Sequence, residues 1–316
     1  MDDDTMPLST TSATRQCDPP SSKHHNWSAT TKPARRLLLS LWQDRLGFAG
    51  ALILLVVLIV SIIPDVFTPY RPSEVTLEDV FLAPTYFANV DRPHPLGTDH
   101  LGRDLLSRIL FGARISLLVA ISAVAISAGV GILLGLLAGF FGRALDNLIM
   151  GITEVQSAFP VILVALGVVA VLGPGVRNLI MVLALTGWVI YARTVRAITM
   201  SLREKEFVTA ARAIGCGSTR IMLRHILPQM GAPVIVIATL EIARMIILES
   251  ALSFLGLGVQ PPDLSWGLML GEGNQYLLTA AWLSAFPGIA IAATVFSVNA
   301  MGDWLRGVLD PSMKRR

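Results

Sequence analysis

The chain has 316 residues, of which 53% are hydrophobic and only 15% are charged, and its net charge is +3. Soluble domains carry about 25% charged residues, so this composition disfavours a cytosolic enzyme, a nucleic-acid-binding protein and a disordered regulator. It predicts an all-α integral membrane protein. The two cysteines, Cys17 and Cys216, are too few for a disulfide framework and have no metal-binding spacing.

The N-terminal part of the chain is predicted to be a polar cytoplasmic tail followed by a membrane span. Residues 1–45 are rich in Ser, Thr and Pro and cannot form a hydrophobic core. The apolar segment 46–63 is long enough to cross the hydrocarbon layer. Residues 46–72 therefore hold the first transmembrane helix and its outer end.

The next segment, 73–111, is predicted to be an outer loop that contains a short interfacial helix. Thr98 is a good N-cap residue, and Asp99 and Asp104 each precede an arginine by four residues. Such i,i+4 pairs favour a helix, and when exposed each contributes only about 0.3–0.5 kcal/mol. We therefore expect these charges to have a structural and not a catalytic role.

Five further apolar segments follow, so that six spans are predicted in all. The first of them contains no charged residue, and Ser127, Gly131, Gly135 and Gly139 recur there at every fourth position. A ridge of small residues allows two helices to pack closely. Pro160 is expected to kink the third span. The five segments are 115–141, 148–172, 176–192, 231–255 and 282–298.

Lysine and arginine are distributed unequally between the two sides of this arrangement. Of the 25 in the chain, 18 lie in the N-terminal tail, the turn near Arg143, the long connection after Ala192 and the C-terminal end, whereas five lie on the other side. The side with the excess of positive charge is the cytoplasm. Both termini are therefore predicted to lie inside the cell, where both cysteines would remain free thiols.

The long basic connection at 203–228 is predicted to form two short helices. Apolar and small side chains recur at helical spacing at Phe207, Ala210, Ala211 and Ile214, so that one face would be apolar. Gly215 and Gly217 suit the end of this helix, and a second helix is expected from Ser218 to just before Pro228. Spacing alone leaves open whether the apolar face meets anionic lipid or a groove in a protein.

Three charged residues lie in the fifth span, at Glu241, Arg244 and Glu249. Charged groups are costly in hydrocarbon and usually face a bundle interior or an aqueous path. Arg244 can pair with Glu241 at i,i+3. One interpretation is a wall of a translocation pathway, and the other is an intramembrane ion pair that fixes helix packing.

The connection at 203–228 resembles the "EAA" loop of permease subunits of binding-protein-dependent ABC importers. The family pattern is Glu-Ala-Ala, a glycine four positions later and a segment that ends in Leu-Pro. Thr209 replaces the usual glutamate and His225 the usual isoleucine, so Glu204 or Glu206 would have to substitute for the missing acid. The resemblance implies that a helix at 204–214 docks in a groove of the ATPase and transmits its closure. The residues that it assigns to ATPase coupling are Glu206, Phe207, Thr209, Ala210, Ala211, Ile214, Gly215, Leu227 and Pro228.

Other segments narrow this resemblance to the oligopeptide, dipeptide and nickel permeases. They include HPLGTD at 94–99 and LSFLGLG at 252–258, and the segment 42–72 is similar to the N-terminal element of the C-type peptide permeases. The resemblance implies the fold of a type I ABC importer permease with six transmembrane helices and a cytoplasmic coupling helix. The permease core would be 112–311, with five of the helices, followed by a basic end at 312–316.

The implied function is that of a permease subunit through which an ABC importer passes peptides. The implied partners are a homologous B-type permease, two ABC ATPase subunits that bind ATP and Mg²⁺, an extracytoplasmic solute-binding protein and membrane lipid, but no nucleic acid. The chain contains no Walker sequence, so no catalytic residue, cofactor or metal is expected in it. Alternatives are an importer for nickel or another small solute, a proton-coupled transporter that uses Glu154, Glu241 or Glu249, and a scaffold or sensor without transport.

Overall fold

A computed structural model describes residues 40–85 and 94–309. Most of the predicted tail at 1–45, including Cys17, part of the outer loop and the basic end at 312–316 lie outside the described residues. Within the described ranges the chain is helical apart from turns and an isolated β-bridge between Thr98 and Asp104. The predicted all-α class is confirmed.

The principal helices, numbered in chain order, are α1 (Arg45–Ile62), α2 (Pro64–Phe67), α3 (Leu105–Phe141), α4 (Arg143–Ser157), α5 (Val161–Leu172), α6 (Val176–Arg203), α7 (Glu206–Ala213), α8 (Ser218–Ile221), α9 (Gly231–Phe254), α10 (Trp266–Asn274) and α11 (Trp282–Leu309). A π turn, Met222–Ile226, and a 3-10 turn, Leu227–Met230, join α8 to α9. In the described part, five helical stretches are long and apolar enough to cross a membrane, or six if α4 and α5 form one bent span.

The small-residue ridge on α3 packs against α6, as its spacing predicts. A Cβ atom added to Gly131 would lie 2.5 Å from the carbonyl oxygen of Trp188, and one added to Gly135 would lie 2.5 Å from that of Ala192. At Gly139 the added atom would lie 2.6 Å from the Cβ atom of Thr199. The two backbones approach so closely only because α3 has no side chains at these positions.

This packing shows that α3 and α6 run in the same direction, because higher positions on α3 meet higher positions on α6. Two parallel membrane helices require that the intervening chain crosses back. The only helices between them are α4 and α5, which are bent by 87° at the break between them. The third predicted span is therefore a broken one. Pro160 does not merely kink it: it precedes Val161 as the N-cap residue of a separate helix, a position where its missing N–H and its ring disturb no helical hydrogen bond.

The remaining long helices run antiparallel to their neighbours. Cβ atoms added to Gly47 and Gly50 would touch Trp304 and Ser297, so α1 and α11 are antiparallel. The Glu249 carboxylate near the end of α9 meets Ser116 near the start of α3. We call the end of the bundle that carries 203–228 the loop end, and the opposite end the cap end. The described starts of α1 and ends of α11 both lie at the loop end.

The prediction of a short interfacial helix that starts at Thr98, at the cap end, is wrong. Thr98 does not cap a helix, because its hydroxyl donates to the carbonyl oxygen of Asp79 and accepts from the backbone N–H of Leu82 at 2.8 Å. The helix begins instead after Asp104, whose carboxylate accepts from the backbone N–H of Ser107 at 2.8 Å. It then continues as α3 for 37 residues.

Two predicted helix ends also differ from the structure. The fourth span does not stop near Ala192 but continues to Arg203. The helix that starts at Ser218 does not end before Pro228, since helical backbone runs from Ser218 to Phe254. The π turn before Pro228 widens the helix, which accommodates a ring that would otherwise clash with the preceding turn.

Candidate functional site: a surface helix and a membrane cavity

The helix α7 lies against the loop end of the bundle through one narrow face. Val208 is fully buried and Ala211 is 5% exposed. Both pack in a cluster with Leu136 and Phe140 of α3. The guanidinium of Arg212 lies 5.5 Å from the centre of the Phe140 ring, close enough for a cation–π contact. These contacts therefore hold α7 against α3.

The residues of the apolar face that the sequence predicts for α7 are partly buried and partly exposed in the structure. Ala211 and, in part, Phe207 face the chain's own core, whereas Ala210 is exposed and Ile214 is 81% exposed. Gly215 ends the turn with φ of +82°, which favours glycine. The side of α7 that remains accessible carries Glu206, Thr209, Ala210, Ile214 and Gly215. Of the four residues on the predicted apolar face, Ala210 and Ile214 therefore remain accessible, and the contact of this face with another molecule stays a prediction.

Leu227 and Pro228 lie apart from that accessible side. They belong to the 3-10 turn that connects the π turn to α9. Leu227 is half-buried and Pro228 is exposed. Their position in the structure is therefore at the joint between the surface segment and a membrane helix.

A cavity of about 440 Å³ opens between the α4–α5 break, α6 and α9. Its volume falls in the range of roughly 300–1,000 Å³ typical of small-molecule sites. Its wall contains both polar and apolar side chains, unlike a surface that faces lipid. The lining residues are Gln156, Ser157, Phe159, Val161, Thr186, Val189, Ile190, Arg193, Glu241 and Arg244.

The structure separates the three charged residues predicted in the fifth span. Glu241 is buried beside the cavity and accepts from Arg244 at 3.1 and 3.3 Å. The Arg244 side chain is 46% exposed. The two groups form the ion pair that the spacing predicts and also line the cavity; the pathway interpretation stays a prediction.

Glu249 does not line the cavity. It is fully buried, and its carboxylate accepts from the hydroxyls of Ser116 at 3.1 Å, Ser250 at 3.2 Å and Ser253 at 2.9 Å. Ser116 in turn accepts from the backbone N–H of Trp266 at 3.2 Å. Glu249 therefore links α9 to α3 and α10, which is the arrangement expected of a packing residue.

The break between α4 and α5 is held in the cavity wall by hydrogen bonds to α6. The Gln156 side-chain amide donates to the carbonyl oxygen of Leu185 and accepts from the Trp188 indole at 2.8 Å. Arg193 donates to the Ser157 hydroxyl at 3.1 Å. Sequence reasoning missed Arg193 as a membrane residue, because the fourth span was expected to end one position earlier.

A second cluster of ion pairs lies at the cap end of the bundle. Arg108 is 2% exposed and pairs with Asp99 and, at 2.7 Å, with Glu272 of α10. Asp99 also pairs with Arg103 at 2.6 Å, whereas Asp104 pairs with His94 at 3.0 Å and not with Arg108. Burial raises the pKa of Asp99, but Arg108, Arg103 and two backbone N–H groups outweigh burial and hold the pKa below its ordinary value of 3.8. The predicted exposed pairs are thus a buried network, and only the Asp99–Arg103 pair is formed as expected.

Among the described residues, no group of three or more His, Cys, Asp and Glu is arranged to hold a metal ion. At the cap end, Asp99 and Glu272 pair with arginines. The cavity presents Arg193, Glu241 and Arg244 to a space large enough for a small polar molecule.

Comparison with known proteins agrees with this geometry. Residues 131–315 match the family described as "Binding-protein-dependent transport system inner membrane component". The chain is 40% identical over 282 residues to the di/tripeptide transport system permease protein DppC of Pseudomonas aeruginosa, covering 89% of this chain and 93% of that protein. It is 39% identical over 282 residues to the dipeptide transport system permease protein DppC of Alkalihalophilus pseudofirmus, with coverage of 89% and 91%. A dipeptide transport system permease of Haemophilus influenzae is 35% identical over 273 residues, with coverage of 86% and 92%.

Proposed function

The chain belongs to the family of binding-protein-dependent transport system inner membrane components, and from this premise we propose that it conducts di- or oligopeptides into the cell as the C-type permease of an ABC importer. Its partners in this proposal are a homologous B-type permease, two ABC ATPase subunits and an extracytoplasmic solute-binding protein. The ATPase subunits bind ATP and Mg²⁺ and carry out hydrolysis, whereas this chain supplies half of the path.

One observation carries the proposal: the segment 203–228 directly connects α6 and α9, two of the helices that line the polar cavity. The helix α6 carries Arg193 and ends at Arg203, and helical backbone resumes at Ser218 and leads to Glu241 and Arg244. A force applied to α7 would therefore act on both walls of the cavity. Alternating access requires such a mechanical link between an ATPase and a solute path.

The orientation follows from geometry and charge together. The described ends of α1 and α11 lie at the same end as 203–228, and the sequence segments predicted on that side contain 17 of the 25 lysines and arginines when Arg193 is assigned to the cavity. We propose that the loop end and both termini lie in the cytoplasm, as the excess of positive charge predicts. The cap end, with Asp99, Arg108 and Glu272, faces outward, where the solute-binding protein would deliver the peptide.

The accessible side of α7 is the proposed contact with the ATPase, with Ala210 at its centre. Ala210→Trp should abolish co-purification of the ATPase while the chain still inserts and folds, because Ala210 is exposed. Ala210→Ser is the matched control and should retain the ATPase. Ala211→Trp should instead destabilise the chain, since Ala211 is buried against α3. Normal ATPase association by Ala210→Trp would contradict the docking assignment.

The function itself is tested with the full complex in proteoliposomes. Uptake of a labelled dipeptide should require the solute-binding protein outside and ATP on the ATPase side, and should persist when a protonophore removes the proton gradient. Uptake that needs the proton gradient and not ATP would favour the proton-coupled alternative. Uptake of nickel but not of peptide would favour the metal alternative, and no uptake of either would favour a scaffold or sensor.

A further inference from the structure

The charges that line the cavity are unequal in number. Two arginines, Arg193 and Arg244, and one glutamate, Glu241, contribute to its wall. Glu241 is already paired with Arg244 at 3.1 Å. The wall therefore carries one positive charge in excess, and it belongs to Arg193.

The contacts of Arg193 do not neutralise that charge. In the described part of the chain, its side chain donates to the Ser157 hydroxyl at 3.1 Å and to the carbonyl and hydroxyl oxygens of Thr153 at 3.4 Å. These are neutral acceptors at long distances, and Arg193 remains exposed. A guanidinium stays charged in any protein environment and has a planar fork of donors that matches a carboxylate. Its position, ten residues before the end of α6, is about 15 Å from the loop end of the bundle.

We propose that Arg193 binds the C-terminal carboxylate of the peptide as it passes through the cavity. The inference rests on the proposed function, since it takes the solute to be a peptide. Every peptide carries this carboxylate whatever its side chains are, so a single fixed cation in the wall serves solutes of different sequence. The Ser157 and Thr153 contacts hold the guanidinium against the α4–α5 break with its remaining donors available to the cavity.

The test compares a free dipeptide with the same dipeptide carrying a C-terminal amide. The full complex is reconstituted in proteoliposomes, the solute-binding protein is added in excess, and its loading with each peptide is measured separately. Uptake is then expressed per loaded binding protein, so that the selectivity of that protein does not enter. The variants are Arg193→Gln and Arg193→Lys, with Arg177→Gln as control, because Arg177 is an exposed arginine on the same helix about 24 Å away.

Arg193→Gln should lower uptake of the free dipeptide on the order of tenfold, as expected for loss of a charge-assisted contact. Uptake of the amide should be low in the parent complex and should not fall further. Arg193→Lys should restore part of the free-dipeptide uptake, and Arg177→Gln should leave both uptakes unchanged.

Two results would overturn the inference without affecting the proposed function. Equal losses for both peptides would assign Arg193 to packing or to an acid of the partner permease, and no loss for either would remove it from the path. Failure of the parent complex to take up any peptide would instead overturn the proposed function, and the inference with it.

Discussion

The close approach of α3 and α6 predicts a sharp difference between two glycines on the same helix. Gly135 is buried against α6, and an added Cβ atom would lie 2.5 Å from the carbonyl oxygen of Ala192 and 3.0 Å from the Cβ atom of Val195. Gly129 lies on the exposed side of α3 and has nothing within 4 Å of an added Cβ atom. Gly135→Ala and Gly129→Ala are therefore the same chemical change in two different surroundings.

The magnitude follows from the distance that the helices must move. Non-bonded carbon atoms are most favourably separated by about 3.5–4.0 Å, so α6 would have to shift by about 1 Å or the helix would have to distort. Overpacking of this kind costs about 1–3 kcal/mol. The gain in helix propensity from Gly to Ala, about 0.8–1.0 kcal/mol, is common to both variants. The difference between the two variants thus isolates the clash, at about 1–3 kcal/mol.

The assay is equilibrium unfolding of the purified chain in mixed detergent micelles, followed by tryptophan fluorescence. Trp188 on α6 is buried beside the ridge on α3 and should report separation of the two helices. Gly135→Ala should unfold at lower denaturant than the parent, and Gly129→Ala at the same or higher denaturant. Equal midpoints for the two variants would refute the close packing of Gly135 against α6.

Two further predictions concern the buried charges. The pKa of Asp99 is held below 3.8 by its arginine partners in the folded chain. The carboxylate therefore stabilises the fold fully above pH 3.8, and this contribution is lost as the pH falls through the pKa of the folded state. The denaturant midpoint of unfolding should fall less steeply on acidification for Asp99→Asn than for the parent. Glu249→Ala should destabilise the chain by about 1–3 kcal/mol because serine hydroxyls lose their buried acceptor, whereas Glu249→Gln retains an acceptor and should leave both stability and solute preference nearly unchanged. A change of solute preference by Glu249→Gln at normal stability would return Glu249 to the path.

The apolar helices could be predicted from the sequence because their signal is local. Each apolar segment is long, and hydrocarbon leaves the backbone few alternatives to a helix. The glycine ridge at every fourth position was equally informative, since only a close helix partner makes use of a stripe without side chains. The fold class and the ridge packing are confirmed, and the described part of the chain has five helical stretches, or six if α4 and α5 form one bent span, that are long and apolar enough to cross a membrane.

The rest depended on contacts between segments distant in sequence, which periodicity does not encode. Arg108 lies four residues after Asp104, but its partners are Asp99 and Glu272, the latter 164 positions away. Asp104 does not pair with Arg108 because its carboxylate caps the start of α3. Ala210 and Ala211 project about 100° apart around the helix axis, and only the direction in which α7 meets α3 decides which of them is buried.

The joint between α8 and α9 indicates how movement of the surface segment would reach the cavity. The backbone from Ser218 to Phe254 is continuous, yet its hydrogen-bond pattern changes at the π turn and again at the 3-10 turn. Such turns weaken a helix locally and often mark functional positions. A displacement of α7 would therefore bend the chain at 222–230, while α9 above it moves as one piece with Glu241 and Arg244. Because Glu249 fastens the far end of α9 to α3 and α10, the motion would be a tilt about the cap end, which changes the width of the cavity more than that of the outer entrance.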